Sequence, residues 1–205
     1  MKNKLKIILL FLLLFILSVL IYMVKTDKII DLDYYLYNLI SILRCDFLTD
    51  FFKNITKFAN FNFITIFIII IFIVVKNKWI GILLAANSIN GVIINKILKS
   101  IFVRPRPNVL RLIKQGGYSF PSGHAMASFI FYGMIIYLIY NTKINRKLKI
   151  IITILLSLVI FFVGLSRVYL GVHYVSDIIS GYLFSFIYLI IFIYIIKKIY
   201  IRNKG

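Results

Sequence analysis

Long apolar runs alternate with short polar segments along the whole chain, and most of the polar segments are basic. A helix needs roughly 20 apolar residues to cross a bilayer, and runs of about this length recur from end to end. We place them at residues 7–24, 61–75, 79–98, 124–140, 149–165 and 174–196. The pattern predicts an all-α fold, a polytopic membrane helical bundle of six transmembrane helices with both termini on one side.

The composition supports a single membrane domain over residues 1–205. Hydrophobic residues make up 62% of the chain and the mean hydropathy is +0.99, which leaves no stretch for a separate soluble domain. The first apolar run follows a basic start and has no small-residue cleavage site before Lys25, as is typical of an uncleaved signal anchor. Residues 1–60 are therefore predicted to form this anchor and an outer segment.

Residues 25–60 carry apolar side chains at a rough helical period that aspartates interrupt. This predicts one or two amphipathic helices at the outer membrane interface. Two interpretations remain open at this point, simple interfacial packing or a lid over an active site. The segment also holds the single cysteine, Cys45, which has no partner for an intramolecular disulfide and is interpreted as a packing residue.

The distribution of charge predicts the orientation of the bundle. The N-terminal tail, the 76–78 turn, the 141–149 loop and the C-terminal tail are basic and contain no acid. Such segments are retained on the cytoplasmic side, which places residues 25–60, 99–123 and 166–173 outside. The net charge of +19 then reflects orientation and contact with anionic lipid head groups, and we expect no nucleic-acid partner.

The outer loop 99–123 breaks the orientation rule, because it is basic and contains no acid. Its cations are Lys99, Arg104, Arg106, Arg111 and Lys114. An anion site would explain why the exception is tolerated. Here lies the first of three blocks that suggest chemistry: six residues separate Lys99 from Arg106, and prolines then end the helix. Arginine offers phosphate oxygens a planar fork of donors, and lysine offers a mobile point charge.

The second block, Phe120 to His124, lies at the start of the fourth span. Ser122 is predicted to cap the helix, and Gly123 lets a ligand approach the free N–H groups of the first turn. His124 lies where it can give a proton to a departing oxygen. A histidine that is merely held by backbone at a helix end is the structural alternative.

The third block runs from Ser166 to Asp177 and contains Arg167 and His173. Asp177 is the only acidic residue after Asp50, and it follows His173 by four residues. If these residues begin a helix, both side chains lie on one face, so Asp177 accepts a hydrogen bond from one imidazole nitrogen and leaves the other as a nucleophile or base. The alternative is a structural pair that closes a loop onto a helix.

Together the three blocks resemble the tripartite signature of the type-2 phosphatidic acid phosphatases, a family also called lipid phosphate phosphatases. The signature covers residues 96–181, and every signature position is matched. The matching residues are Lys99, Arg106, Pro107, Pro121, Ser122, Gly123, His124, Ser166, Arg167, His173 and Asp177.

The resemblance implies a role for each site residue. His173 is the nucleophile that forms a phosphohistidine, Asp177 orients it, and His124 protonates the leaving oxygen. The residues that bind the phosphate are Lys99, Arg106, Ser122, Gly123 and Arg167. Such cations and a helix N-terminus can stabilise the charge that metal ions neutralise in other phosphatases. Because no carboxylate cluster lies beside the blocks, we predict catalysis without a metal or other cofactor.

The predicted substrate is a phosphorylated lipid that reaches the site laterally within the bilayer of the cell membrane. Similar members of the family act on undecaprenyl diphosphate, phosphatidate or phosphatidylglycerophosphate, and a site on the extracytoplasmic face favours the first. Two alternatives stay open: a lipid phosphotransferase that uses the same histidine, and a non-catalytic lipid-binding or transport protein. The middles of the spans are nearly free of charged residues, which argues against transport.

Overall fold

The structure is a computed structural model that describes residues 2–202, with side-chain surroundings for residues 8 and 10–198. Over the described range the chain is all-helical, as predicted, with eight α-helices, one short 3₁₀ helix and no strand. The α-helices are α1 (Lys2–Lys25), α2 (Ile30–Ser41), α3 (Asp46–Ile55), α4 (Phe61–Val74), α5 (Lys78–Phe102), α6 (Gly123–Tyr140), α7 (Arg146–Tyr169) and α8 (Val175–Arg202). The 3₁₀ helix covers Thr56–Ala59.

Four of these helices, α5 to α8, are each long and apolar enough to cross a membrane. The number rises to six if two bent pairs each count as one span: Leu10–Lys25 with α2, bent by 94°, and Asp46–Ala59 with α4, bent by 54°. The predicted spans thus correspond to α1 and to α4 through α8. However, the 14 residues of α4 extend only about 21 Å, less than the roughly 30 Å hydrocarbon core, so a crossing has to include part of the preceding bent segment.

The core is built around α6, which packs against α5, α7 and α8. Phe131 and Met134 of α6 and Leu84 of α5 are almost completely buried there. Large apolar side chains on the outer faces of the bundle are exposed instead, for example Ile73 and Ile154. Such extended apolar faces are unfavourable in water, and they are the surfaces that lipid covers.

Alternating helix directions bring four helix ends together at one end of the bundle. The C-terminal ends of α5 and α7 meet the N-terminal ends of α6 and α8 there, and α2 and α3 pack across them. The α5–α6 loop closes this end, where Leu112 N donates to the Leu170 carbonyl at 3.0 Å. Next to it, Gly171 has a φ of +74°, and a Cβ at this position would stand 2.5 Å from the Leu110 carbonyl oxygen. This close approach requires glycine.

Candidate active site

His173 and Asp177 form a buried pair at the start of α8. His173 Nδ1 lies 3.2 Å from Asp177 Oδ2, and the two side chains are 2% and 0% exposed. The sequence interpretation assumed that the helix begins at His173, but α8 begins at Val175. The pair therefore forms across the helix start, where Asp177 Oδ2 also accepts the Tyr174 N–H at 3.0 Å, as the acid of a capping box does.

The second imidazole nitrogen of His173 faces a guanidinium. Arg106 Nη1 lies 3.1 Å from His173 Nε2 and donates to the Val172 carbonyl at 2.7 Å. A guanidinium can only donate, so it assigns the free electron pair to Nε2. The proton then belongs on Nδ1, which donates to Asp177. The nitrogen with the free electron pair thus points at a cation.

Three cations surround this imidazole. Burial, followed by the charges of Arg167, Arg106 and Lys99, holds the pKa of His173 well below its ordinary value of 6.5, which keeps the ring neutral. Burial also lowers the pKa of the Arg106 guanidinium to about 10. Cations gathered at one buried point form a binding site for an anion with several oxygens, such as phosphate.

Lys99 and Arg106 are held by carbonyl groups of the α5–α6 loop. Lys99 Nζ donates to the Tyr118 carbonyl and, at 3.3 Å, to the Ser119 carbonyl. Arg106 Nη2 donates to the Gly116 carbonyl at 2.8 Å. The loop therefore fixes the direction of both cations, and phosphate binding needs donors that are held in place in this way.

Arg167, near the end of α7, is 1% exposed and is held from two sides. Its Nη1 donates to Thr56 Oγ1 and its Nη2 donates to Gln115 Oε1, both at 2.9 Å. Its Nε–H is buried and has no acceptor within the described part of the chain. A buried guanidinium N–H without an acceptor is unfavourable, and an oxygen of a bound phosphate would satisfy it.

Ser122 caps α6, as the sequence predicts. Its hydroxyl accepts the Ala125 N–H at 3.4 Å. Its own N–H donates to the Asp177 carbonyl at 3.1 Å, which joins the start of α6 to the start of α8. At Gly123 a Cβ would stand 3.0 Å from Asn95 Oδ1, so a larger residue would crowd this first turn.

His124 lies on the apolar side of the site. Its Nε2–H donates to Asn60 Oδ1 at 3.0 Å. A groove of about 630 Å³ opens beside it between α4, α5 and α6. The lining of the groove is mostly apolar, and Asn60, Asn95 and Lys96 add polar groups to it. An apolar groove of this size between membrane helices suits a lipid chain.

The structure brings the predicted site residues to one end of the bundle, and it adds side chains that the sequence analysis did not assign to the site. The added residues are Asp33, Thr56, Asn60, Arg104 and Gln115. The sequence marked Arg104 only as a loop cation, and Asp33 only as one of the aspartates that interrupt the helical period of residues 25–60. That outer segment forms a wall of the site, through its contacts with Arg167 and His124.

A helical membrane bundle with a buried histidine among three cations, beside a lipid-sized groove, is the arrangement expected of one class of protein, the membrane-embedded phosphatases. The chain belongs to the PAP2 superfamily, whose family model matches residues 79–201. This match confirms the family resemblance that the three sequence blocks indicated.

Individual relatives agree with this class. Phosphatidylglycerophosphatase B of Bacillus subtilis is 32% identical over 145 residues, 69% of this chain and 71% of that protein. Undecaprenyl-diphosphatase of Sulfolobus acidocaldarius is 28% identical over 181 residues, 85% of this chain and 83% of that protein. The chain is accordingly a membrane lipid phosphatase of the PAP2 type. The alternative interpretation, a non-catalytic lipid-binding or transport protein, therefore no longer applies.

Two crystal structures share the fold. A transmembrane PAP2 type phosphatidylglycerolphosphate phosphatase from Bacillus subtilis superposes with a TM-score of 0.84 at 28% identity, over 93% of this chain and 96% of that one. Aquifex aeolicus LpxE gives a TM-score of 0.65 at 26% identity, over 79% of this chain and 94% of that one. Both matches support the helical membrane architecture that the hydrophobic pattern predicts.

Proposed function

We propose that the protein removes a terminal phosphate from a membrane lipid through a phosphohistidine formed on His173. The observation that carries the proposal is the fixed imidazole, with Nδ1 at 3.2 Å from Asp177 Oδ2 and Nε2 at 3.1 Å from Arg106 Nη1. In the first step the Nε2 electron pair attacks phosphorus and the P–O bond to the lipid breaks. His124 takes up a proton when the negatively charged substrate binds beside it and gives this proton to the departing oxygen, while Asp177 stabilises the positive imidazole of His173.

Water completes the proposed reaction. It attacks the phosphorus of the phosphohistidine, the P–N bond breaks, and the neutral His124 takes the proton that water loses, so both histidines return to the states that they had when the substrate was bound. Lys99, Arg106 and Arg167 hold the phosphate oxygens, and the unpaired Arg167 Nε–H gains an acceptor. The proposed steps need no metal ion, and the described residues contain no group of three or more His, Cys, Asp or Glu side chains that could hold one.

The proposed substrate is a lipid whose chain occupies the groove between α4, α5 and α6, and we favour undecaprenyl diphosphate. An oxygen protonated by His124 has to lie on the groove side of the site, so the rest of the lipid extends into the groove. In a diphosphate the second phosphate would also lie there, and Lys96 is a cation in the same lining as His124. Lys96 therefore supports a diphosphate. The phosphatidylglycerophosphatases among the relatives make phosphatidylglycerophosphate the second candidate.

Phosphate release tests the substrate. Protein purified in detergent with a chelator is given undecaprenyl diphosphate, phosphatidylglycerophosphate or phosphatidate, and Lys96→Met serves as the matched variant. We expect the diphosphate to be the best substrate, and Lys96→Met to lower its kcat/KM about 10-fold, the effect of one charge-assisted hydrogen bond, while phosphatidate hydrolysis stays within about 2-fold. Equal losses on both lipids would remove the assignment of Lys96. Activity that appears only with added metal would contradict the metal-free mechanism, and transfer that requires an added alcohol would identify a phosphotransferase.

A trapped phosphoryl group tests the intermediate. Substrate with a radioactive terminal phosphate is mixed with the enzyme and quenched in alkali, where a P–N bond survives. We expect an acid-labile label on the wild-type protein and none on His173→Ala. A label of equal amount on His173→Ala would show that another residue attacks phosphorus.

We further propose that both termini are cytoplasmic and that the active site faces outward, as the charge distribution predicts. The lone cysteine offers a direct test, because Cys45 is exposed, not packed as the sequence analysis predicted, and precedes α3 on the site end of the bundle. A membrane-impermeant maleimide added to intact cells should label the protein, with Cys45→Ser as the unlabelled control. Labelling that requires broken cells would contradict the proposed orientation.

A further inference from the structure

Asp33 of α2 is a buried acid that none of the proposed steps uses. It is 1% exposed, and both of its carboxylate oxygens are occupied. Oδ1 accepts the Ser176 N–H at 2.9 Å, and Oδ2 accepts an Arg104 Nη2–H at 2.9 Å and the Ser176 hydroxyl. A carboxylate is stable at such depth only when its charge and its acceptor sites are compensated. Asp33 is therefore fixed by α8 and by Arg104.

Arg104 joins Asp33 to the catalytic pair. Its Nη1 donates to Asp177 Oδ1 at 2.7 Å and to the Ser176 hydroxyl at 2.8 Å, while Nη2 binds Asp33. Its guanidinium carbon lies 4.0 Å from the centroid of the Tyr174 ring, and its side chain is 6% exposed. Both terminal nitrogens of Arg104 are therefore engaged by carboxylates. It differs in this from Lys99 and the other cations of the site.

We infer that Asp33 and Arg104 are positioning residues for the nucleophile and that they act through Asp177. Asp177 uses Oδ1 for Arg104 and Oδ2 for His173 Nδ1 and the Tyr174 N–H. The contact with Arg104 thus sets the rotation of the carboxylate that aims Oδ2 at the imidazole, and Asp33 holds Arg104 in place. This inference rests on the proposed role of His173 as the nucleophile.

The charges along this row of side chains alternate. Asp33 is negative, Arg104 is positive, Asp177 is negative, and His173 becomes positive when it carries the phosphoryl group. If Asp33 loses its charge, the charge of Arg104 acts on Asp177 without compensation, and Asp177 stabilises the positive imidazole less. The side-chain hydrogen bonds of Asp33 and Arg104 go to Ser176, to Asp177 and to each other, and none goes to a proposed phosphate-binding residue. Loss of the Asp33 charge should therefore lower kcat and leave KM nearly unchanged.

The variant Asp33→Asn removes this charge and keeps the shape of the side chain. We expect kcat to fall about 10- to 100-fold, the usual cost of losing an outer partner of an oriented histidine, and the formation of the His173 label to slow by the same factor. KM should stay within about 3-fold because the phosphate ligands are intact. Asp31→Asn is the matched control, since Asp31 is an exposed acid on the same helix. An unchanged kcat in Asp33→Asn would overturn the inference.

Measuring Asp33→Asn in a protein that also carries Asp177→Asn separates a positioning role from a loss of stability. If Asp33 acts through Asp177, adding Asp33→Asn to Asp177→Asn should slow label formation less than about 2-fold further, because coupled residues are not additive. If Asp33→Asn slows label formation by the same factor in the wild-type and the Asp177→Asn backgrounds, the inference is overturned. Arg104→Lys gives an independent arm if Asp33→Asn cannot be purified: lysine keeps the charge but cannot bridge two carboxylates. It should show the same fall in kcat and the same lack of additivity, and wild-type kcat in this variant would overturn the inference.

Failure of the proposed function gives a different result. If the wild-type protein carries no label on His173, the phosphohistidine mechanism fails. If the wild-type protein is labelled and Asp33→Asn turns over at the same rate, the positioning role alone fails.

Discussion

The two histidines of the site have contrasting surroundings. His173 is 2% exposed, its two ring nitrogens face Asp177 and Arg106, and its backbone lies in the tight connection between α7 and α8. His124 is half-buried, has Asn60 as its side-chain partner, and borders the groove. Asn60 itself is an exposed residue between the 3₁₀ helix and α4.

The difference fits the two tasks that we propose for these histidines. A nucleophile has to be aimed at phosphorus within a fraction of an ångström before the substrate arrives, so its ring is held on both sides. A proton donor has to follow an oxygen that moves away with a bulky lipid, so one hydrogen bond at the edge of a groove suits it better. Variants that break one arrangement and spare the other test this contrast.

The largest effect is expected from His173→Ala. Turnover should fall about 10³-fold or more for every substrate, because the group that attacks phosphorus is missing. Phosphate release per folded protein, with folding checked by gel filtration in detergent, measures the loss. If more than a tenth of the activity survives, His173 is not the nucleophile.

The effect of His124→Ala is expected to depend on the leaving group. The first step should slow about 10²- to 10³-fold for phosphatidate, whose lipid alcohol needs a proton as it departs. The same step should slow less than about 10-fold for nitrophenyl phosphate, whose leaving oxygen is stable as an anion. The burst of nitrophenol or lipid alcohol in rapid mixing isolates this step. Equal losses for both compounds would rule out the acid role.

A smaller effect is expected from Asn60→Ala, which leaves both histidines in place. Loss of the hydrogen bond to His124 should lower kcat about 10-fold, within the range for a partner of a charged group. Asn62→Ala, two residues along the chain at an exposed position of α4, is the matched control. A rate for Asn60→Ala equal to that control would mean that substrate alone orients His124.

The smallest expected effect is a shift in the pH dependence of label formation on His173. Because burial and nearby cations lower the pKa of His173 below 6.5, the ring stays neutral at neutral pH, and label formation should decline only in more acidic solution. Lys99→Met removes one of these cations, so protonation becomes easier and the acid limb should move to higher pH. Lys96→Met, assayed with phosphatidate, is the control on the same helix. An acid limb that stays in place in Lys99→Met would contradict the electrostatic account of His173.

The sequence predicted most of the site because its parts lie in short segments. The four-residue spacing of His173 and Asp177 and the cap at Ser122 depend on local geometry, and span length depends on bilayer thickness. The alternation of long apolar runs with short polar segments was enough to place six predicted spans. The bends between α1 and α2 and before α4 were missed, because they depend on how the outer segment packs over the bundle.

Asp33 and Arg104 show where sequence reasoning ends. The two residues are separated by 71 positions, and the residues around Asp33 have only the pattern of an interfacial helix. The family signature singles out Arg106 in the basic loop, but it says nothing about what Arg104 contacts. Arg104 binds Asp33 because α2 packs beside the start of α8, and that packing is a tertiary property.

Ile89, Val92 and Ile93 border the groove beside His124 and are exposed on the surface of the bundle. We therefore expect the lipid substrate to arrive by diffusion within the two-dimensional sheet of the membrane, without passing through bulk water. The quantity that saturates the enzyme is then the mole fraction of substrate among the lipids, not its molarity. Diluting vesicles in buffer should leave turnover per enzyme unchanged, whereas adding inert lipid at constant total substrate should lower it.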